Sequence, residues 1–176
     1  MTSGELRTAE AGAMPRRGGH RYEVLDGKLL VTGAQPPIHH TAVVGLLVRL
    51  KQACPAELLV TVGSLDFRPV PGVSLRPDLM VCRRDEAGPQ IVVRPPLLAV
   101  EVISASTRVT DVVLKRARYE QYGVPSYWLL DPDNHELTVL HLTDNTYTCH
   151  TVAHSDERFE TDFPFSVSFS PTQLMS

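Results

Sequence analysis

Glu101 stands in the middle of LLAVEVISAS, Leu97 to Ser106, a run that is apolar at alternating positions on both faces. Such a run reads as a strand buried on both sides. An ionised carboxylate held away from water is costly unless it is paired, so Glu101 requires an Arg or Lys, a metal ion, or water at an open strand end. Taken alone, a structural ion pair explains it as well as a functional site does. Asp78 changes the balance. It follows Pro77 at the entrance of another apolar strand, PDLMVCR. If the two strands are neighbours their carboxylates converge, and like charges at that range repel strongly. A divalent cation between them removes the repulsion, and hard oxygen ligands with room for water suit Mg²⁺ or Mn²⁺.

Lys115 is the third candidate. It lies about two helical turns beyond Thr107, at roughly 1.5 Å rise per residue. At about 100° per residue, Val109, Val112, Val113, Ala117 and Tyr119 form the inward arc, with Lys115 at its edge. A lone helix lysine is ordinarily solvated surface. An Asp, a Glu and a Lys on strand, strand and following helix carry more information together than any one of them.

The elements that must position these residues can be read along the chain. YEVLDGKLLV, Tyr22 to Val31, is a hairpin around Asp26-Gly27, a type I′ signal because both residues tolerate positive φ. After the break GAQPP, apolar residues at Val43, Val44, Leu46, Leu47 and Leu50 recur at helical spacing over Ile38 to Ala53, and Cys54-Pro55 ends the helix. Strands are expected at Leu58–Val62, Leu65–Arg68, Pro77–Arg83 and Leu97–Ile103. Thr107 or Thr110 is expected to cap a helix that runs to about Tyr122, where Gly123 and Pro125 stop it. SYWLLD, Ser126 to Asp131, completes a βαβ unit, so its strand should lie parallel to that of Glu101 with a right-handed crossover. ELTVLHL and TYTCHTV alternate as a terminal hairpin, and FPFSVSFS packs back as an extended segment.

At 176 residues the chain fits one domain, residues 21–176, after a Gly-, Ala- and Arg-rich tail, residues 1–20, expected to be disordered. The net charge of −3 excludes a basic nucleic-acid coat, although Arg76 to Arg118 holds eight Lys or Arg against five Asp or Glu. Three cysteines at wide spacing argue against a disulfide framework or structural zinc and accord with a reducing cytoplasm. No apolar run is long enough for a membrane span, and the N-terminus lacks a secretory h-region.

RPDLMV, then PPLLAVEVISASTRVTDVVLKRARYEQYGVPSYWLLDP, resembles the Uma-type putative restriction endonuclease family of the PD-(D/E)XK nuclease superfamily. YEVLDGKLLV and HTAVVGLLVRL extend the resemblance over about Tyr22 to Leu142. It implies an α/β, restriction-endonuclease-like core: a mixed β-sheet flanked by helices, with an N-terminal hairpin and a C-terminal β-hairpin. It further implies Mg²⁺-dependent (Mn²⁺ as a substitute) hydrolysis of DNA phosphodiesters. Asp78 matches the acid of the PD motif and Glu101 the second metal-binding acid. The lysine that usually follows two residues later is absent, because Ile103 holds that place; Lys115 matches the family's helical lysine, four residues before Tyr119. Glu23 and His40 match recurring polar positions. Arg116 departs from the pattern, where an apolar residue is usual; it either contacts phosphate or marks a rotated helix.

Other residues have plainer readings. Tyr119, Tyr122, Tyr127 and Trp128 read as core rather than base-stacking groups. His39 and His40 read as capping or surface residues, and Asp111 as a complement to its helix dipole. Ser104, Ser106 and Thr107 lack a nucleophile elbow. Arg83, Arg84 and Arg94 are solvated by default, with phosphate contact the alternative. The expected function is a Mg²⁺-dependent DNA endonuclease, cytoplasmic and homodimeric, a two-fold pair of sites suiting a duplex. The alternative is a non-catalytic nucleic-acid-binding or assembly protein that keeps the fold.

Overall fold

The computed structural model describes residues 20–175. The tail expected to be disordered lies outside them except for His20. Strands β1 (Arg21–Leu25) and β2 (Lys28–Thr32) pair antiparallel. Asp26 and Gly27 between them have φ of 51° and 75°, as the type I′ turn demands. Helix α1 (Pro37–Ala53) opens with proline at its first turn, where the missing amide costs nothing. It buries Ala42, Val43, Leu46 and Leu50.

The remaining strands are β3 (Leu58–Val62), β4 (Asp66–Phe67), β5 (Leu79–Arg83), β6 (Ile91–Val92), β7 (Leu98–Val102), β8 (Ser126–Asp131), β9 (Glu136–Thr143), β10 (Thr146–His154), β11 (Phe159–Thr161) and β12 (Val167–Phe169). Six of them form a mixed sheet in the order β10-β9-β8-β7-β5-β3. Within it only β7 and β8 run parallel, the pairing that the βαβ reading requires. Every residue of β7 and β8 is buried, which accounts for their near-continuous apolar sequences. The expected second strand over Leu65–Arg68 shortens to β4, which pairs with β6 outside the main sheet.

Each face of the sheet carries its own core. On one, Leu98, Val100 and Val102 of β7 pack with α1, Trp128, Leu130 and the aromatic cluster Phe159, Phe165 and Phe169. On the other, Ala99 packs with Phe67, Tyr119, Tyr127 and Tyr147. Alternation along β7 therefore turns Glu101 toward this second face. Among the described residues no helix is long and apolar enough to cross a membrane.

The helix on that second face differs from the sequence expectation. Its first turn is anchored at Ser104, whose carbonyl accepts from the Thr107 and Arg108 amides at 3.1 and 3.0 Å. Neither threonine caps the segment that follows; the Thr107 hydroxyl accepts from the Ser104 amide instead, at 3.1 Å. Thr110–Lys115 is π-helical and leads into α2 (Arg116–Gln121). Gly123 and Val124 close α2 with amides bonded to Glu120 and Tyr119 carbonyls, a Schellman arrangement at φ +74° for Gly123. The inward arc holds at Val112 and Tyr119 but fails at Val109 and Val113, which are 72% and 56% exposed, whereas Asp111 and Lys115 are buried. Burial of charge here follows what the sheet presents, not hydropathy.

Candidate active site

β5 and β7 pair antiparallel with Leu79 opposite Val100. One step further along the register brings Asp78 opposite Glu101, and both side chains turn to the face of the π-helical segment. The Asp78 Oδ2 atom accepts from the Val102 amide at 2.8 Å and faces His39 Nε2 at 3.2 Å. Its Oδ1 pairs with the Arg21 guanidinium. Glu101 Oε1 receives the Tyr119 hydroxyl and lies beside Lys115 Nζ, each at 3.0 Å, and Glu101 Oε2 is 3.9 Å from Arg21 Nη1.

Lys115 completes the cluster. Its ammonium also lies 3.0 Å from Glu23 Oε2 and 3.4 Å from Asp111 Oδ1. Glu23 comes from the hairpin, held there by the Arg76 amide at 2.7 Å from Oε1. Asp111 and Lys115 are four residues apart on one side of the helix, and Tyr119 continues the same row to Glu101. A π-helical segment recurs at functional sites, and here it spans from the residue before Asp111 to Lys115 itself. Arg21, His39, Asp78, Glu101, Asp111 and Lys115 enclose a cavity of about 10 Å³, room for one water-sized species.

Electrostatics follow from the inventory. Four buried carboxylates, Glu23, Asp78, Glu101 and Asp111, surround two permanent cations, Arg21 and Lys115. The formal excess is two negative charges before His39 is counted. Burial raises the Glu101 carboxyl well above the ordinary range, and the Asp111, Asp78 and Glu23 charges add to this against the opposing pull of Lys115. Asp111 is raised for the same first reason. Asp78 goes the other way: burial works against its charge, but the hydrogen bond from His39 and the Arg21 charge hold it far below the usual carboxylate range. Lys115 is raised, since Glu101, Glu23 and Asp111 outweigh the burial that would discharge it.

This donor set fits a divalent cation. Two hard carboxylates face one polar cavity in which carboxylates outnumber permanent cations, a setting that suits Mg²⁺ or Mn²⁺. Among the described residues there is no group of three or more His, Cys, Asp or Glu arranged to hold a metal. The protein ligands would be the two acids, with water and substrate oxygen completing the shell, as Mg²⁺ commonly prefers.

The structure brings together Asp78, Glu101, Lys115 and Glu23. It does not bring in His40, which is exposed on α1; the neighbouring His39 faces Asp78 instead. Arg116 also points elsewhere, donating to the Tyr147 carbonyl at 3.2 Å and lying 3.7 Å from Glu120. It neither lines the cavity nor displaces Lys115 from it. Arg21, His39, Asp111 and Tyr119 were missed as site residues. The available signals were the alternation of Arg21 and Glu23 on one strand face and the polar row Asp111, Lys115, Tyr119 at four-residue steps. For His39, the signal was its place four residues before Val43 and seven before Leu46 on the buried side of α1.

A crystal structure described as a putative nuclease belonging to DUF820, from Anabaena variabilis ATCC 29413, is similar to the chain with a TM-score of 0.75 at 16% sequence identity. The likeness covers 95% of this chain and 96% of that one, and it establishes the fold. No protein with a curated description matches. The family model Uma2, described as putative restriction endonuclease, matches residues 8–171, nearly the whole chain, and the protein belongs to that family.

Proposed function

We propose that this protein is a Mg²⁺-dependent endonuclease that hydrolyses DNA phosphodiester bonds, with Asp78, Glu101 and Lys115 as its catalytic set. The observation that carries this reading is the meeting of three groups, distant along the chain, around one small cavity lined by more carboxylates than permanent cations. Asp78 and Glu101 would hold Mg²⁺ or Mn²⁺. When bound, the metal supplies an acidified water and charge neutralisation at a non-bridging phosphate oxygen.

The chain's own groups have separate tasks. Asp78 is kept ionised and fixed by the Val102 amide and His39, so it is pre-formed as an anionic ligand. Tyr119 orients Glu101 by donating to Oε1. Lys115, charged and held by Glu23 and Asp111, places a positive group where negative charge grows on the phosphate oxygens. Arg118 forms an exposed ion pair with Asp26 and belongs to the surface.

The test is cleavage of varied DNA substrates by purified protein with Mg²⁺, with Mn²⁺ and with EDTA. Asp78→Ala, Glu101→Ala and Lys115→Ala run in parallel. Metal-dependent cutting by the parent alone supports the assignment, and equal cutting by all four removes it. A homodimer would set two such sites against a duplex, which sedimentation with and without DNA measures directly. The free thiols Cys54, Cys82 and Cys149 accord with a reducing cytoplasm.

A further inference from the structure

Each acid of the site has one oxygen already committed. Asp78 Oδ2 takes the Val102 amide and His39, while Glu101 Oε1 takes Tyr119 and Lys115. The oxygens left for a shared cation are Asp78 Oδ1 and Glu101 Oε2. Arg21 addresses both of them, through Nη2 and Nη1 respectively.

We infer that Arg21 is a resident surrogate cation, which holds the two acids together in the metal-free protein and is displaced when a divalent metal enters. This inference rests on the reading of Asp78 and Glu101 as metal ligands. The guanidinium approaches from the solvent side: its side chain is 20% exposed, against 6% for Asp78 and 1% for Glu101. Its remaining bond runs from Nη1 to the Arg76 carbonyl at 2.9 Å. Arg21 is carried on β1 opposite Thr32, and β1 packs through Val24 against Ser74, so the strand stays anchored when the side chain leaves. An unbranched arginine can make that swing by rotamer change alone.

A guanidinium and a metal on the same two oxygens compete for them and repel each other at close range, so the two equilibria oppose each other. Arg21 thereby limits the charge excess of the metal-free cavity and sets the metal concentration at which the site loads. Lys115 does not share this role, because it sits on the committed oxygen of Glu101 and on Glu23 and Asp111.

The experiment is calorimetric titration of the EDTA-treated full chain with Mn²⁺, with no DNA present, for the parent, Arg21→Gln, Arg21→Lys and Asp78→Asn. The parent should bind one Mn²⁺ and Asp78→Asn none. Arg21→Gln should bind about tenfold tighter or more, since no group then competes for the two oxygens. Its metal-free melting temperature should fall below the parent's, and Mn²⁺ should raise it by more. Arg21→Lys should fall between, because it keeps the charge but cannot span both acids; it also serves if the glutamine variant fails to fold. If the parent binds and Asp78→Asn does not, yet Arg21→Gln binds no tighter, the surrogate role is overturned while the metal site stands. Arg21→Lys matching the parent overturns it also, by showing that charge alone matters. If neither parent nor Arg21→Gln binds Mn²⁺, both readings fall.

Discussion

Replacing Glu101 by Gln separates a site built for a metal from a carboxylate buried for stability. Glutamine keeps the shape and leaves an oxygen to accept from Tyr119 and Lys115, but removes one negative charge from a cluster of four. The attractions lost are those to Lys115 at 3.0 Å and Arg21 at 3.9 Å. At an effective dielectric of about 20 they amount to roughly 5 and 4 kcal/mol. Against them stand the desolvation of a fully buried carboxylate, several kcal/mol, and repulsion from Asp78, Glu23 and Asp111. Both cations also keep other partners after the change, Arg21 with Asp78 and Lys115 with Glu23 and Asp111. The raised carboxyl of Glu101 fixes the sign: its surroundings disfavour the charge. Glu101→Gln should therefore stabilise the EDTA-treated protein at pH 7, because the usual cost of breaking a buried pair is an uncompensated charge and here both cations keep carboxylate partners. A group raised in the folded state contributes stability that is present below its unfolded value and lost as pH rises through the folded one. The gap between variant and parent should then narrow as pH falls below the raised folded value, where the parent's buried Glu101 takes up its proton, and be gone by about 4.3, where the unfolded chain's glutamate does the same. Urea unfolding at several pH values in EDTA measures this, alongside loss of Mn²⁺ binding and of cleavage. A variant that is less stable than the parent at pH 7, with a gap that does not vary with pH, would show that Glu101 is a structural ion-pair member and refute the reasoning.

Four further outcomes follow from the same geometry. Lys115→Met should lower cleavage by about 10²–10³-fold, as for loss of a preorganised charge at a transition state, and should destabilise by about 3–5 kcal/mol because three carboxylates lose their buried partner; single-turnover kinetics and urea unfolding report the two. Tyr119→Phe removes only the bond to Glu101, so a stability loss of about 1 kcal/mol is expected, with cleavage falling further than folding. Asp66, buried, is held low despite burial by hydrogen bonds from Arg76 and Arg68, at 2.6 Å each; its stabilisation is present above about pH 3.9 and lost as pH falls through the lower folded value, so Asp66→Asn should flatten the acid limb of the unfolding curve. Val113→Gln should change stability by no more than about 0.5 kcal/mol, since the side chain faces solvent; a loss several times larger would restore the arc drawn from hydropathy.

The fold was legible where the local rules and the tertiary demands agree. Asp26-Gly27, the stop at Gly123, and the apolar strands of Glu101 and Trp128 each state one conformation, and the structure adopts it. Asp78 and Glu101 were legible because a carboxylate within an apolar strand contradicts its surroundings, and the contradiction is itself the signal. Their neighbours gave no such sign. Arg21, His39 and Asp111 lie at a strand start, a helix start and a helical first turn, places where polar residues are ordinary. Their spacing to Glu23, Val43 and Lys115 was a weak signal, and it becomes decisive only once β5 pairs with β7 and the hairpin is laid beside them. The helix shows the conflict most directly. Read by hydropathy, Val109 and Val113 belong inside; read by charge, Lys115 belongs wherever buried carboxylates need a cation, and that requirement, about 3–5 kcal/mol, matches what two valines return at about 1.5–3 kcal/mol each. The chain leaves the valines in water and turns the lysine in. A helix that gives up apolar burial in order to seat a charge is fixed by its site rather than by its core, and that is why its phase could not be taken from the pattern of its apolar residues.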